Sequence, residues 1–205
     1  MDYSKMKGAD LKTLCKEKGL KLSGKRADFI ARLSAPVIES QPYTYENYLK
    51  KTKDDIVAIM LRPQKDDLTY DILDTEKSMQ LKREALKYRQ LQMKRGEIWQ
   101  VVFGNYQHFE DLGIGHPSGL DTLSVERRTI MELKNRTNTD NKSSRSANLD
   151  KLVNYKKAHM EYTVIYGNIN DATKEATLKG SIKTITHNGV EIKHYIGMEL
   201  FKYVF

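Results

Sequence analysis

Residues 119–135 constrain the fold of this chain more than any other stretch. Their sequence, GLDTLSVERRTIMELKN, contains two short segments, 120–125 and 129–134, in which apolar and polar side chains largely alternate. Alternation with a period of two is typical of a half-buried β-strand. The charged residues Glu126 and Arg127 lie between the segments. We therefore predict a β-hairpin that reverses at these two residues.

The predicted hairpin brings two carboxylates and one ammonium group to one face. It places Asp121 directly opposite Glu132, and directly opposed side chains share a face with Cβ atoms roughly 4.5–5.5 Å apart. Lys134 lies two residues beyond Glu132 and therefore points the same way. Met131 and Leu133 point to the other face. We expect a helix to cover them there.

Two carboxylates this close repel each other unless a cation lies between them. Oxygen ligands of this kind suit Mg²⁺, and Mn²⁺ is the expected substitute. Such an ion holds a phosphate oxygen and lowers the pKa of a coordinated water, which a neighbouring lysine can orient. The pattern therefore indicates hydrolysis of phosphodiesters. An ordinary solvated hairpin with a Glu/Lys face is the alternative.

Asp121, followed by Glu132-Leu133-Lys134, resembles the signature of the PD-(D/E)XK nucleases, the restriction-endonuclease-like superfamily. The chain departs from that signature at Leu120, where the signature has proline. The resemblance implies an α/β fold with an αβββαβ core. It also implies that Asp121 and Glu132 bind the metal, that Lys134 positions or activates water, and that in-line attack leaves a 5′-phosphate.

In this superfamily a glutamate on the helix before the aspartate strand often adds a metal ligand. Residues 75–103 contain no proline and predict one long helix, with Thr75 as its N-cap. Its apolar stripe comprises Ala85, Tyr88, Leu91, Ile98, Trp99 and Val102. Glu97 is our candidate for the additional catalytic residue. A surface ion pair between Glu97 and Lys94 is the alternative.

Composition and charge favour a nucleic-acid partner. The chain has 205 residues, a net charge of +8 and a pI near 9.3, and such a charge favours a polyanion. No run of about 18 apolar residues occurs, so we expect no membrane partner. Cys15 is the only cysteine, which excludes an intramolecular disulfide and a cysteine-built zinc site. Since no apolar N-terminal region indicates secretion, we expect an intracellular protein of the cytoplasm or nucleus.

Residues 5–33 predict two short helices with a small shared core. The apolar residues at helical spacing are Leu11, Leu14 and Cys15 in the first helix, and Phe29, Ile30 and Leu33 in the second. Gly19 is a C-cap signal and Ser23 a good N-cap. This segment therefore predicts a separate helical module at residues 1–35.

Gly19-Leu20, Ser23-Gly24-Lys25 and Arg32-Leu33 give this module its resemblance to the SAP motif, a DNA-binding helical hairpin. Residues 1–35 contain nine Lys and Arg against four Asp and Glu. Backbone amides at the start of the second helix, beside Gly24, Lys25 and Arg26, would bind phosphate. A basic helical hairpin used for protein contacts is the alternative.

Residues 135–148 are almost wholly polar and begin at the strand end that carries Lys134. Side chains of this kind contact phosphates and read base edges. We therefore predict a loop that contacts DNA, or else a flexible surface loop. The candidate DNA-binding residues are Asn135, Arg136, Arg145 and Asn148.

The remaining patterns complete the predicted core at residues 51–205. They indicate a linker at 36–50, a buried helix at 52–62 capped by Thr52, a helix at 148–160, a buried strand at 162–167, a hairpin at 180–195 turned by Asn188-Gly189, and an apolar tail at 197–205. The tail either closes the core as a helix or serves a homodimer interface. Lys151 stands four residues before Tyr155, where RecB-like exonucleases tend to have glutamine, which weakens an exonuclease interpretation.

These expectations combine into a Mg²⁺-dependent endodeoxyribonuclease that acts on double-stranded DNA. The size and the polar stretch beside the site favour a sequence-specific, restriction-type enzyme. A structure-specific or repair nuclease is the nearest alternative. A non-catalytic DNA-binding scaffold is the alternative from another class.

Overall fold

The computed structural model of the protein describes residues 3, 6–17, 25–34, 43–113, 115–137 and 141–205. The helices in these ranges are α1 (Gly8–Glu17), α2 (Arg26–Ser34), α3 (Tyr45–Leu61), α4 (Glu76–Gly104), α5 (Lys142–Ala158), α6 (Lys174–Lys179) and α7 (Met198–Val204). The strands are β1 (Glu110–Asp111), β2 (Thr122–Ser124), β3 (Thr129–Arg136), β4 (Thr163–Asn170), β5 (Ser181–His187) and β6 (Val190–Ile196). The predicted combination of an N-terminal helical pair and a mixed α/β region is confirmed.

The two N-terminal helices share a small core of their own. Its buried side chains are Leu11, Cys15, Phe29 and Leu33. The Arg26 side chain joins the start of α2 to the first helix, because its Nε and Nη2 donate to the carbonyl of Met6 at 3.1 and 3.0 Å. The predicted helix pair is therefore confirmed. Its cap signals at Gly19 and Ser23 lie outside the described residues.

The strands form one sheet in the order β1-β2-β3-β4-β6-β5. Strand β2 runs antiparallel to both of its neighbours, β1 and β3. Helix α5 then crosses over, so that β4 runs parallel to β3, since a parallel pair requires such a long connection. Strand β6 is parallel to β4, and β5 closes the far edge antiparallel to β6. The helix and the buried strand predicted after the hairpin are therefore confirmed.

The central hairpin has the predicted register. Thr122 pairs with Met131, and the ladder continues to the 129–124 pair next to the turn. If this register is extended by one pair away from the turn, Asp121 lies opposite Glu132. Strand β3 is two residues longer than predicted and ends at Arg136.

Alternate residues of β3 face two separate cores. Met131 and Leu133 are buried in a cluster with Phe103 of α4 and Leu200 of α7. Ile130 lies in the other cluster, with residues of α5. The period of two therefore directs Glu132 and Lys134 to the α5 side of the sheet. The expectation that helices cover Met131 and Leu133 is confirmed.

Helix α3 begins earlier than predicted. Its N-cap is Thr44, whose hydroxyl accepts from the amide of Asn47 at 3.1 Å, so the last residues of the 36–50 segment are helical. Thr52 is buried inside the helix. The expectation that this helix is buried nearly all round is also wrong, because Leu61 is 77% exposed.

The long helix α4 is confirmed, and Thr75 caps it through a capping box with Ser78. Its predicted apolar stripe is correct only near the C-terminal end. Ala85 and Tyr88 are exposed, whereas the later stripe residues are half-buried: Leu91, Ile98, Trp99 and Val102. The fully buried residues at this end, Val101 and Phe103, lie outside the predicted stripe. The first half of the helix therefore extends beyond the part of α4 that packs on the sheet.

The predicted polar loop at 135–148 is mostly regular structure. Asn141 caps α5 by accepting from the amide of Ser144 at 2.8 Å, so residues 142–148 are the first turns of the helix. Residues 138–140 lie outside the described residues. The sequence suggests a loop here because Ser, Asn and Thr favour caps and turns and are unfavourable inside helices.

The C-terminal elements agree with their predictions. Asn188 and Gly189 have positive φ angles of 48° and 76°, as a type I′ turn requires, and they join β5 to β6. Helix α7 docks on the sheet with Leu200 and Val204 fully buried. The tail is therefore a closing helix.

Candidate active site

The backbone around Asp121 is held on both sides. Its amide donates to the carbonyl of Met131 at 3.0 Å, and its carbonyl accepts from the amide of Leu112 at 2.9 Å. The Asp121 carboxylate also bonds to the backbone of β3, because its Oδ2 accepts from the amide of Leu133 at 2.7 Å. The side chain is thereby fixed against the middle of β3.

Glu132 is a buried carboxylate in the middle of β3. It is 2% exposed, and its Oε1 accepts from Lys134 Nζ at 2.6 Å. Among the described residues, no hydrogen-bond donor reaches its buried Oε2. A buried carboxylate oxygen without a partner is costly, so this atom has capacity for a further ligand.

Burial and repulsion act together on Asp121. Burial is the larger cause and the charge of Glu132 the second, and together they raise the pKa of Asp121 to about 7. The amide of Leu133 and the ammonium groups of Lys134 and Lys151 oppose this rise. The charge of Glu132 thus acts on Asp121, as expected for residues that lie opposite each other in the hairpin.

Gln100 is the α4 residue that reaches Asp121. Its Nε2 donates to Asp121 Oδ1 at 2.8 Å. Glu97, one turn earlier on the helix, forms an ion pair with Arg62 of α3 at 2.7 Å. The role of Glu97 as a metal ligand stays a prediction. Sequence reasoning missed Gln100, although its spacing of three residues from Glu97 places both on one side of the helix.

Lys151 of α5 is a second cation at the site. Its side-chain carbons lie 3.5 Å from the position that a Cβ on Gly119 would take, and its Nζ donates to Asn148 Oδ1 at 3.0 Å. Its charge lowers the pKa of Asp121. The sequence offered one signal for this residue, its position four residues before Tyr155.

A buried hydrogen bond joins β4 and β6 on the same sheet. His194 of β6 and Asn168 of β4 form a 2.6 Å hydrogen bond. Because Asn168 Nδ2 donates to the carbonyl of Arg136, its oxygen accepts from the ring, and His194 Nε2 carries the proton. Burial first, then the charges of Arg145 and Lys183, lower the pKa of His194 to about 4. The ring is therefore neutral at pH 7.

The residues predicted to contact DNA in the 135–148 stretch occupy different surroundings. Asn135 and Arg136 lie at the end of β3. The Arg145 guanidinium lies 5.8 Å from the centroid of the Tyr166 ring. Asn148 is 8% exposed, which leaves little of its side chain for a direct DNA contact. The DNA-binding roles of all four stay predictions.

The predicted phosphate site of the N-terminal module is described in part. The amide of Lys25 donates to Asp28 Oδ2 at 2.6 Å, which fixes the entry to α2. Arg26 is engaged with the Met6 carbonyl, so it has a structural role whatever else it binds. Gly24 lies outside the described residues.

The donor set at the carboxylates fits Mg²⁺ better than a closed metal cage. Within the described residues, no group of three or more His, Cys, Asp or Glu side chains is arranged to hold a metal ion. Mg²⁺ usually takes one or two carboxylates and completes its shell with waters and substrate phosphates. Asp121 and Glu132, with the partnerless Oε2, match that requirement.

Comparison with known proteins identifies the N-terminal module. Residues 2–34 match the family model of the SAP domain, which supports the predicted module and DNA binding by it. No curated protein and no solved structure matches the chain. Across the described residues, none of the helices has the length and apolar character needed to cross a bilayer.

Proposed function

We propose that the chain is a Mg²⁺-dependent endodeoxyribonuclease that hydrolyses phosphodiester bonds of double-stranded DNA. The observation that carries the proposal is the buried pairing of Asp121 and Glu132 beside Lys134. Burial of two repelling carboxylates opposes folding unless a cation compensates them. Such an arrangement is therefore expected at a functional site rather than in a purely structural core.

The order of helices and strands along the chain also supports the proposed nuclease. Helix α4, strands β1 to β3, helix α5 and strand β4 follow one another along the chain, in the αβββαβ order that the PD-(D/E)XK resemblance implies. The charges of Glu132 and of Lys151 on α5 both act on Asp121. A phosphate group at this point would meet two cations, Lys134 and Lys151.

Each residue then has a defined task. Asp121 and Glu132 would hold Mg²⁺, which when bound supplies positive charge to the phosphate and acidifies a water. Lys134 would position or activate the attacking water. Gln100 fixes the rotamer of Asp121 by donating to Oδ1. Mn²⁺ would replace Mg²⁺ with the same ligands.

Plasmid cleavage tests this proposal. We expect cutting in Mg²⁺ and none in EDTA, and we expect Lys134→Ala to slow cutting by about 10²–10⁴-fold, the range for a lost proton-transfer group. Lys202→Ala is the matched control, because Lys202 is an exposed lysine that also pairs with a glutamate, Glu199. Cutting at the full rate by Lys134→Ala would reject the assignment of the site.

The pattern of products separates the forms of this activity. Discrete fragments from a plasmid would support sequence-specific, restriction-type cleavage, which is the form we propose. Preferential cutting of branched or damaged duplexes would instead favour a structure-specific or repair nuclease.

A non-catalytic DNA-binding scaffold is the second candidate. The observation that favours it is that both oxygens of Asp121 already accept hydrogen bonds, from Gln100 and from the amide of Leu133. A scaffold would bind DNA through the SAP module equally well with and without Mg²⁺. It would show no cleavage with Mg²⁺ or Mn²⁺ on any duplex.

A further inference from the structure

A cleft opens beside the end of β3 and is lined by residues of α4, β3 and α6. It has a volume of about 530 Å³. Its walls are Arg95 and Trp99 of α4, Asn135 and Arg136 at the end of β3, Asn170, and residues 171–174, 177 and 178 around α6. Asn135 directly follows Lys134 along β3, so the cleft and the candidate active site share one strand end. The volume falls within the range of about 300–1,000 Å³ typical of small-molecule sites.

Trp99 gives this cleft a rigid aromatic wall. The indole packs perpendicular to the ring of Phe201 at a centroid distance of 5.5 Å, and its centroid lies 6.2 Å from that of Phe103. These contacts join it to the core cluster beneath α4 and α7. The rest of the ring is partly exposed and lines the cleft. A ring held in this way loses little conformational entropy when a flat ligand stacks on it.

The charged groups around Trp99 select an anion. Arg95, Arg136 and Lys174 line the cleft and are exposed. Asp171 is the one carboxylate among the described lining residues, and its Oδ1 accepts from Thr137 Oγ1 at 3.0 Å and from the amide of Ala172 at 2.8 Å. Its charge is therefore partly compensated, and the cleft keeps a positive balance.

An aromatic wall beside several cations matches a nucleotide, because a base stacks on the ring while its phosphate meets the cations. A base inside a duplex is already paired and stacked, so it cannot enter such a cleft without leaving the helix. We propose that this cleft binds an unpaired nucleotide of single-stranded DNA, with its base on Trp99 and its phosphate between Arg95 and Arg136. The choice of DNA over RNA rests on the proposed function.

Trp99 is the only tryptophan of the chain, so its fluorescence reports this cleft and not the SAP module. We would titrate the full chain with a ten-nucleotide oligothymidylate in EDTA, where a metal-dependent nuclease does not cut. The expected result is saturable quenching. Arg95→Ala should weaken the apparent affinity at least about fivefold, since Arg contacts contribute substantially to single-strand binding. Arg83→Ala, an exposed arginine of the same helix outside the cleft, should leave it unchanged.

Lys134→Ala separates this inference from the proposed nuclease activity. The variant should retain the quenching although it loses cleavage, because Lys134 is not among the residues that line the cleft. Absence of saturable quenching would overturn the proposal. Equal quenching by a blunt duplex, or quenching by oligouridylate and not by oligothymidylate, would overturn it as well.

Discussion

Asp121 is expected to make stability depend on pH. Burial and the charge of Glu132 raise its pKa to about 7 from an ordinary value of 3.8. Between these values the folded protein binds a proton that the unfolded chain does not, so the free energy of unfolding falls as pH rises. Asp121→Asn removes this titration. Without divalent metal, we expect the wild-type Tm to fall by several degrees more than that of Asp121→Asn between pH 4 and pH 8, measured by circular dichroism.

The comparison with the variant isolates Asp121 from other groups that titrate in this range. Asp66→Asn, which changes an exposed carboxylate of the segment between α3 and α4, should keep the wild-type slope. If the Tm of the wild type and that of Asp121→Asn changed with pH in parallel, Asp121 would not have the raised pKa on which this prediction rests. Added Mg²⁺ should reduce the difference, because a cation favours the ionised pair.

Some residues of the candidate site can be predicted from nearby sequence, and others are positioned by the packing of distant elements. Asp121, Glu132 and Lys134 were predicted from sequence because strand period and hairpin register are local properties. Gln100 and Lys151 were not, since the packing of α4 and α5 on the sheet decides where they reach. A contact between residues 100 and 121 has no signature in either segment alone.

Helix α4 carries two glycines whose replacement should have opposite effects. A Cβ on Gly104 would lie 2.5 Å from Asp111 Cβ and from its amide nitrogen, whereas a Cβ on Gly96 would meet nothing within 4 Å. Gly104→Ala must push β1 away from the helix, and overpacking of this kind costs about 1–3 kcal/mol. Gly96→Ala should stabilise by about 0.5–1 kcal/mol, because alanine restricts the unfolded chain. Urea denaturation measures both.

Both variants are glycine-to-alanine changes in α4. The difference between their free energies of unfolding therefore reports the close approach of α4 to β1. Gly104→Ala should also reduce any DNA cleavage, because the 112–121 segment that follows β1 carries Asp121. Equal stabilities of the two variants would contradict the described contact at Gly104.

Helix boundaries were less predictable than helix identity. Thr52 predicts a helix start, yet Thr44 caps α3. Thr52 is instead buried, and Asn105 Nδ2 beyond the end of α4 donates to Asp55 at 2.8 Å. The pattern was therefore produced by a contact between helices. Caps are readable from sequence only where no tertiary contact uses the same residue types.

At the scale of the whole molecule, positive charge is spread over both parts of the chain. The net charge is +8, and residues 1–35 contribute nine Lys and Arg against four Asp and Glu. A general electrostatic attraction and a specific phosphate contact both weaken with salt. They can be distinguished by removing one residue. Loss of a residue that contacts a phosphate changes the slope of DNA affinity against salt, whereas loss of a charge that contacts no phosphate does not.

Lys25 lies at the entry to α2, within the residues that match the SAP domain, and it is the position where the sequence predicts such a contact. We expect Lys25→Ala to weaken binding to any duplex sequence and to reduce the magnitude of the slope of log K against log salt by about 0.9, the value for one phosphate. Fluorescence anisotropy with two unrelated duplexes between 50 and 200 mM KCl measures it. Lys53→Ala removes the same charge from an exposed position on α3 and should leave the slope intact. If both variants change the slope equally, the attraction belongs to the charge of the whole chain, and the SAP module makes no phosphate contact through Lys25.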